Sequence, residues 1–326
     1  MTQSRIRIAS VLAIAALVAS ACSSTAATLA PLVTVAPAAA PTTSATTAPS
    51  IAATIAASVA PTVAPLPAIP AAQLIKAGTL TVCSDTSYPP QETLDKSNNA
   101  VGSDIDLAAE IAKRLSLQIA VKSTVFDTII PALTGGSCDI IVSAQTITDA
   151  RKQAVDMIPY FAAGQSFVVL ASNQSSINAI TDLCGKAVAA EKGTVEADHI
   201  AGTGDYTATT SLDAQCKAAS KPDITLKVFA QDTDALLALQ AGTVVAHFTD
   251  EPVAGYEVVN GNGAFVMLPS LTVERGAEGI SVTKNHPELR DAVTAALQQM
   301  IDDGTYKTIL TKWGVQSGAV TSTTGS

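Results

Sequence analysis

From Leu80 onward the chain alternates short apolar runs with capped amphipathic segments, which confines it to an α/β fold with helices flanking a mostly parallel sheet. The first run is Leu80-Thr81-Val82-Cys83-Ser84, ending at Asp85. Two prolines in Tyr88-Pro89-Pro90-Gln91-Glu92 exclude a helix there and hold an extended loop. Gly102-Ser103-Asp104-Ile105-Asp106 reads as a capping-box start, after which Leu107, Ala108, Ile111, Ala112 and Leu115 fall on one helical face. Residues 118–122 read as a strand, 126–133 as a helix stopped by Gly135-Gly136, and 139–143 as the next strand. Further on, 187–190, 224–229, 244–248 and 280–282 read as strands. Pro287 opens a helix whose apolar face is Leu289, Val293, Ala296, Leu297 and Met300. A last helix covers 305–313, and a frayed tail is expected from Ser317.

On such sheets ligands sit at the carboxyl ends of strands. Asp85 occupies one such end and Ser143-Ala144-Gln145-Thr146-Ile147-Thr148-Asp149-Ala150-Arg151 another. Thr148 reads as an N-cap and Asp149 as a first-turn acid. Arg151 lies in the first turn, so backbone N–H groups and an arginine fork converge into a small anion site suited to a carboxylate. The alternative is an ordinary strand–helix turn with a surface arginine. Gly193-Thr194-Val195-Glu196 repeats the arrangement after the strand at 187–190.

The 326 residues carry a net charge of −9, which sets nucleic acid aside as a partner. Residues 1–22 read as an export signal: Arg5 and Arg7 precede an apolar core too short to remain as a membrane span. Ala19-Ser20-Ala21 then precedes Cys22, similar to the lipobox of bacterial lipoproteins, although Ala19 stands where leucine is usual. The same residues satisfy ordinary A-x-A cleavage. Lipidation is favoured because it gives the odd one of five cysteines a use. The expected location is extracytoplasmic, anchored by Cys22 to the outer face of the cell membrane. Residues 23–72, rich in Ala, Pro and Thr, read as a disordered tether. His199, His247 and His286 lie far apart in sequence and no C-x-x-C occurs, so no metal site is expected. G-x-S-x-G, Walker A and G-x-G-x-x-G motifs are absent, and no cofactor or catalytic residue is assigned.

The ordered set of motifs resembles the bacterial extracellular solute-binding proteins of polar amino-acid ABC transporters. It comprises Tyr88-Pro89-Pro90, Gly102-Ser103-Asp104-Ile105-Asp106-Leu107, Phe126-Asp127 with Pro131-Ala132-Leu133, and Thr146-Ile147-Thr148-Asp149-Ala150-Arg151. Gly193-Thr194, Ala241-Gly242, Asp250-Glu251, Asp303-Gly304-Thr305-Tyr306-Lys307 and Lys312-Trp313-Gly314 complete it. The resemblance implies a two-lobed periplasmic-binding-protein-like fold of type II. Lobe 1 would hold residues 73–170 and 275–314, lobe 2 residues 171–274, with 315–326 a disordered tail. It implies a non-enzymatic, monomeric protein that captures an amino acid by lobe closure and delivers it to an ABC permease, touching the membrane only through its lipid. Arg151 would clamp the ligand carboxylate, with N–H groups at Thr146, Thr194 and Val195. The Thr146 hydroxyl, the Ala144 carbonyl and Asp250 would receive the ammonium. Tyr88 and Phe126 would sandwich the side chain, and Asp85 would face its far end. Ser143 belongs to the same set. Gln91, where the family usually has phenylalanine, and Glu191 make the pocket more polar; Val245 replaces a common aspartate. Asp85, Gln91 and Glu191 favour a basic over a neutral polar ligand.

The resemblance, with an oxidising compartment, implies a Cys184–Cys216 disulfide. Cys83 and Cys138 are expected as two buried free thiols, because their strands would hold them ~12 Å apart at ~3.3 Å per residue; their pairing is the alternative. A dehydratase on the same fold, with Glu191 or Glu196 as general acid, and a ligand-sensing subunit of a signalling receptor are the alternative functions.

Overall fold

A computed structural model describes residues 65–324. The expected signal, Cys22 and the tether as far as residue 64 lie outside the described residues. In chain order the strands are β1 (Thr79–Ser84), β2 (Ser87–Tyr88), β3 (Glu92–Leu94), β4 (Ala100–Val101), β5 (Gln118–Ser123), β6 (Ile140–Ile141) and β7 (Val155–Leu170). They continue with β8 (Ala187–Glu191), β9 (Thr225–Phe229), β10 (Ala246–Asp250), β11 (Phe265–Met267) and β12 (Val273–Thr283). The α-helices are α1 (Ser103–Arg114), α2 (Ile129–Thr134), α3 (Asp149–Ala154), α4 (Val195–Ala201), α5 (Leu212–Ala218), α6 (Asp232–Gln240), α7 (Glu251–Asn260), α8 (Pro287–Asp302) and α9 (Thr305–Lys312).

The main sheet runs β5-β1-β6-β12-β7-β10-β8-β9, with β11 beside β7. β1 is parallel to β5 and β6, and β8 is parallel to β9 and β10, as strand–helix alternation requires. Between these two parallel groups lie β7 and β12, antiparallel to one another from Val155↔Thr283 to Gln165↔Val273. β12 pairs with β6 through Ser281 and Val282, whereas β7 pairs with β10 from Gln165 to Val168. Two long strands therefore carry the chain from one lobe to the other. The expected boundary at residue 170 is the end of β7; the change of pairing partner falls at Gly164–Gln165.

Each lobe has its own core. In the first, Leu80, Val82 and Ile140 meet the apolar faces of α1 and α8, with Leu107, Ile111, Val293 and Leu297 fully buried. In the second, Phe167 and Phe248 stack with centroids 4.1 Å apart among Leu183, Val188, Ile200 and Leu212. Two of the family-like motifs prove to be one contact. Asp106 in the first turn of α1 accepts from the Trp313 indole at 2.7 Å and from Lys312 at 2.6 Å, fixing α9 to α1.

Three expectations need correction. Cys83 and Cys138 are bridged, with Cα atoms 5.7 Å apart. The 12 Å separation took Cys138 as the first residue of a straight strand. β6 begins only at Ile140, after a bend at Asp139, and Cys138 sits in the turn after α2, beneath Cys83 with Ile129 and Leu133. The segment after Gly314 is not a disordered tail as far as residue 324. Ala319 bridges Phe161, the Val320 N–H donates to the Tyr306 hydroxyl, and Val315 and Thr323 are buried. The tether docks before residue 72, with Leu66 and Ile69 against the core of the first lobe. The Cys184–Cys216 bridge forms, so each lobe holds one disulfide.

Candidate ligand-binding site

At the carboxyl ends of β1, β8 and β10 the two lobes meet around a narrow cavity. One wall is Asp85, Tyr88, Phe126, Ala144, Thr146 and Arg151; the other is Glu191, Thr194, Val195, Glu196 and Asp250.

Arg151 reaches the cavity because Thr148 caps α3 with its hydroxyl, accepting from the Arg151 N–H at 3.1 Å. Its guanidinium donates to the Thr146 carbonyl at 2.7 Å and, across the gap between lobes, to the Gly193 carbonyl at 3.0 Å. It also lies 5.3 Å from the Phe126 ring centroid. Burial lowers its pKa, against the pull of Glu196, Asp198 and Asp250.

Asp250 occupies the cap position of α7 yet caps nothing. Its carboxyl turns instead to the Tyr88 hydroxyl, which donates to Oδ2 at 3.0 Å while accepting from the Asp250 N–H at 3.0 Å. Burial, then Glu196 and Glu278, push the Asp250 carboxyl well above the usual carboxylate range. Glu191 is raised similarly by burial and by Asp85, and its Oε1 has no hydrogen-bond partner among the described residues. Asp85 is raised by burial, though its oxygens accept from the N–H groups of Ser87 at 3.1 Å and Phe126 at 2.7 Å.

Ala144 adopts φ +43°, a left-handed conformation costing about 1–2 kcal/mol for a residue with a Cβ. Its N–H is held by Asp104 Oδ2 at 3.0 Å and the Tyr160 hydroxyl at 3.1 Å. The start of α1 is accordingly not a capping box. Gly102 is the N-cap, without a side-chain cap, and the Asp104 carboxyl faces inward. Gly102 is required there at φ +139°, since a Cβ would lie 2.0 Å from the Gln91 carbonyl oxygen. Burial raises Asp104 to about 6, against hydrogen bonds from Tyr160 and Ala144.

Residues 80–316 match the model of the bacterial extracellular solute-binding proteins, family 3. The chain belongs to this family. Among its relatives is the arginine-binding protein ArgT of Corynebacterium glutamicum, 26% identical over 75% of this chain and 77% of that one. A probable histidine-binding protein of Neisseria gonorrhoeae is 30% identical over 73% and 83%. Among solved structures, an ancestral arginine-binding protein bound to arginine aligns with TM-score 0.63 and 35% identity, covering 73% of this chain and 98% of that one. The ancestral amino acid-binding protein AncCDT-1, a precursor of cyclohexadienyl dehydratase, aligns with TM-score 0.61 and 33% identity over 72% and 95%.

In this solute-binding protein the cavity gathers ten of the twelve residues expected from sequence: Asp85, Tyr88, Phe126, Ala144, Thr146, Arg151, Glu191, Thr194, Val195 and Asp250. Ser143 and Gln91 are not on its wall. The Ser143 hydroxyl accepts from the Asp85 N–H and donates to Glu92, each at 2.8 Å. Gln91 is fully buried behind the wall, donating to Glu278 Oε2 at 2.7 Å, so it cannot make the pocket more polar. Sequence reasoning named Glu196 only as a general acid in the dehydratase alternative and left it out of the ligand-binding set. The signal was present: Thr194 caps α4 by accepting from Ala197, which leaves a first-turn carboxylate one residue past Val195. Asp232, His247 and Glu257 also cluster, but His247 meets Asp232 through Nε2 at 2.9 Å and Glu257 through Nδ1 at 3.1 Å. Opposite ring nitrogens suit an imidazolium held between two acids rather than a common metal. Among the described residues no helix is long and apolar enough to cross a membrane.

Proposed function

We propose that this solute-binding protein captures a basic amino acid by lobe closure and delivers it to an ABC importer, held at the outer face of the cell membrane by a lipidated Cys22. One observation carries the ligand class. Four buried carboxyls, of Asp85, Glu191, Glu196 and Asp250, line the same cavity as a single guanidinium, that of Arg151. A neutral zwitterion adds one cation and one anion and leaves this excess in a desolvated space. A basic amino acid adds two cations and one anion, a net positive charge that offsets part of it, and an acidic one worsens the imbalance.

In this reading Arg151 clamps the ligand carboxylate with the N–H groups of Thr146, Thr194 and Val195. The ammonium meets Asp250, the Thr146 hydroxyl and the Ala144 carbonyl. The side chain runs between Tyr88 and Phe126, and its cationic end meets Glu191 Oε1 near Asp85. Closure on such a ligand is a two-state equilibrium that the ligand shifts, and the closed form is what a permease reads. Relatives named for arginine and histidine binding support the class.

A thermal-shift panel of the proteinogenic amino acids with ornithine and citrulline tests this. The expected result is a raised melting temperature with arginine, lysine, ornithine or histidine, equivalent to about 2.7 kcal/mol at a hundredfold excess over Kd. A response confined to glutamate, or none, rejects the proposal. Prephenate and arogenate turnover is expected to be absent; turnover would favour the dehydratase alternative, with Glu191 or Glu196 as its acid.

A further inference from the structure

Glu196 is 2% exposed, lines the cavity and leaves Oε1 without a hydrogen-bond partner among the described residues. Its carboxyl interacts with that of Asp250 on the same lobe. Asp250 Oδ2 is already engaged by the Tyr88 hydroxyl at 3.0 Å. A primary ammonium carries a full positive charge as well as three donors, and of the acceptors assigned to it above only Asp250 is ionisable, with one oxygen already engaged. Glu196 Oε1 supplies a further buried acceptor on that wall.

Two carboxylates side by side in a desolvated space do not both stay ionised; the pair retains a proton. The charged and titratable groups around them are Arg151 from α3, Tyr88 from β2, Glu191 from β8, Asp198 from α4 and Glu278 from β12. Arg151 is the one cation of this set, and two of its donors are spent on backbone carbonyls. An arriving ammonium supplies the second positive charge that lets both acids ionise.

We propose that Glu196 is a ligand-binding residue: together with Asp250 it receives the ligand's ammonium group, and capture expels to solvent the proton the two carboxyls share. One protonated carboxyl, one carboxylate and one ammonium become two carboxylates on one ammonium plus a released proton. The inference rests on the amino-acid reading above.

The test is titration calorimetry of the whole folded protein with L-arginine at pH 7, in phosphate, imidazole and Tris. Their different ionisation enthalpies convert released protons into a slope of apparent heat against buffer enthalpy. For the wild type the slope is expected to report release of up to one proton, with affinity rising toward tenfold per pH unit on the acid side. Glu196→Gln is expected to lose at least tenfold in affinity and most of the slope. Glu196→Asp retains a titratable carboxyl, keeps part of the slope, and serves if the glutamine variant fails to fold. Wild-type binding of arginine with no proton release, or a glutamine variant with unchanged affinity and slope, overturns the role of Glu196. Absence of binding by the wild type to arginine, lysine, histidine or glutamine instead overturns the amino-acid reading itself.

Discussion

Gly193 is the point at which closure is most easily blocked. It follows β8 in the second lobe, adopts φ +84°, and faces Asp127 of the first lobe. A Cβ there would lie 2.8 Å from the Asp127 Cα and 2.9 Å from its Cβ, where ordinary contact begins at 3.4 Å. Gly193→Ala therefore forces the lobes back by at least about 0.6 Å. The bond from Arg151 to the Gly193 carbonyl, now 3.0 Å, would stretch to about 3.6 Å, beyond a useful hydrogen bond. A hydrogen bond to a charged group contributes about 1.5–3 kcal/mol, so arginine affinity is expected to fall roughly ten- to a hundredfold. The backbone cost of alanine at positive φ, about 1–2 kcal/mol, is paid whether the lobes are open or closed. It is read separately, as a lower melting temperature without ligand. Calorimetry with arginine measures the affinity, and small-angle scattering with saturating arginine measures the closure. If the variant binds within twofold of wild type and contracts equally, the steric argument is wrong.

Lys192→Ala should change arginine affinity less than threefold, because the Lys192–Asp127 pair, though 2.7 Å, leaves the lysine side chain 60% exposed; calorimetry compares it directly with Gly193→Ala. Arg151→Lys should cost at least tenfold in affinity, since a lysine cannot bond both the Thr146 and Gly193 carbonyls while presenting a fork to a carboxylate. Asp104 should make the protein less stable as pH rises. Its folded carboxyl titrates near 6 and holds a proton the unfolded chain has already lost by about pH 4, so unfolding releases a proton within that window. Melting temperatures from pH 4 to 7 should fall less steeply in Asp104→Asn than in wild type; parallel slopes count against it. Reduction of the two bridges, 55 and 32 residues apart in sequence, should cost about 4 kcal/mol each in the chain-entropy model, read as a lower urea midpoint with dithiothreitol. A non-reduced digest should yield Cys83 linked to Cys138 and Cys184 linked to Cys216.

The helical parts of the fold were legible because their apolar spacing is regular. Leu107 and Ile111 on α1, and Val293 and Leu297 on α8, are buried as their period requires. Thr148 also announced its cap and the Arg151 site beside it, whereas the rest of the cavity wall was what the family resemblance implied. The connection between lobes was not legible. β7 is one sixteen-residue strand, but Pro159 and Gly164 interrupt any strand-like pattern, and Pro159 is tolerated because β12 shifts register opposite it, at Glu278/Gly279. Only 280–282 of β12 read as strand, since Gly276 and Gly279 hide the rest. The reading of Ser103 to Asp106 as a capping box, and of Cys138 as a strand residue, failed for one reason: local pattern cannot tell that a side chain is claimed by a distant partner, Trp313 for Asp106 in one case and Cys83 in the other.

Neither covalent cross-link ties one lobe to the other. Cys83–Cys138 staples only the first and Cys184–Cys216 only the second. Oxidation therefore stiffens two separate plates and leaves the swing between them untaxed. Heating the reduced protein would loosen the plates without freeing or jamming their swing. Under calorimetry the two halves are then positioned to melt as distinct steps, and a ligand held between them is expected to draw the steps together.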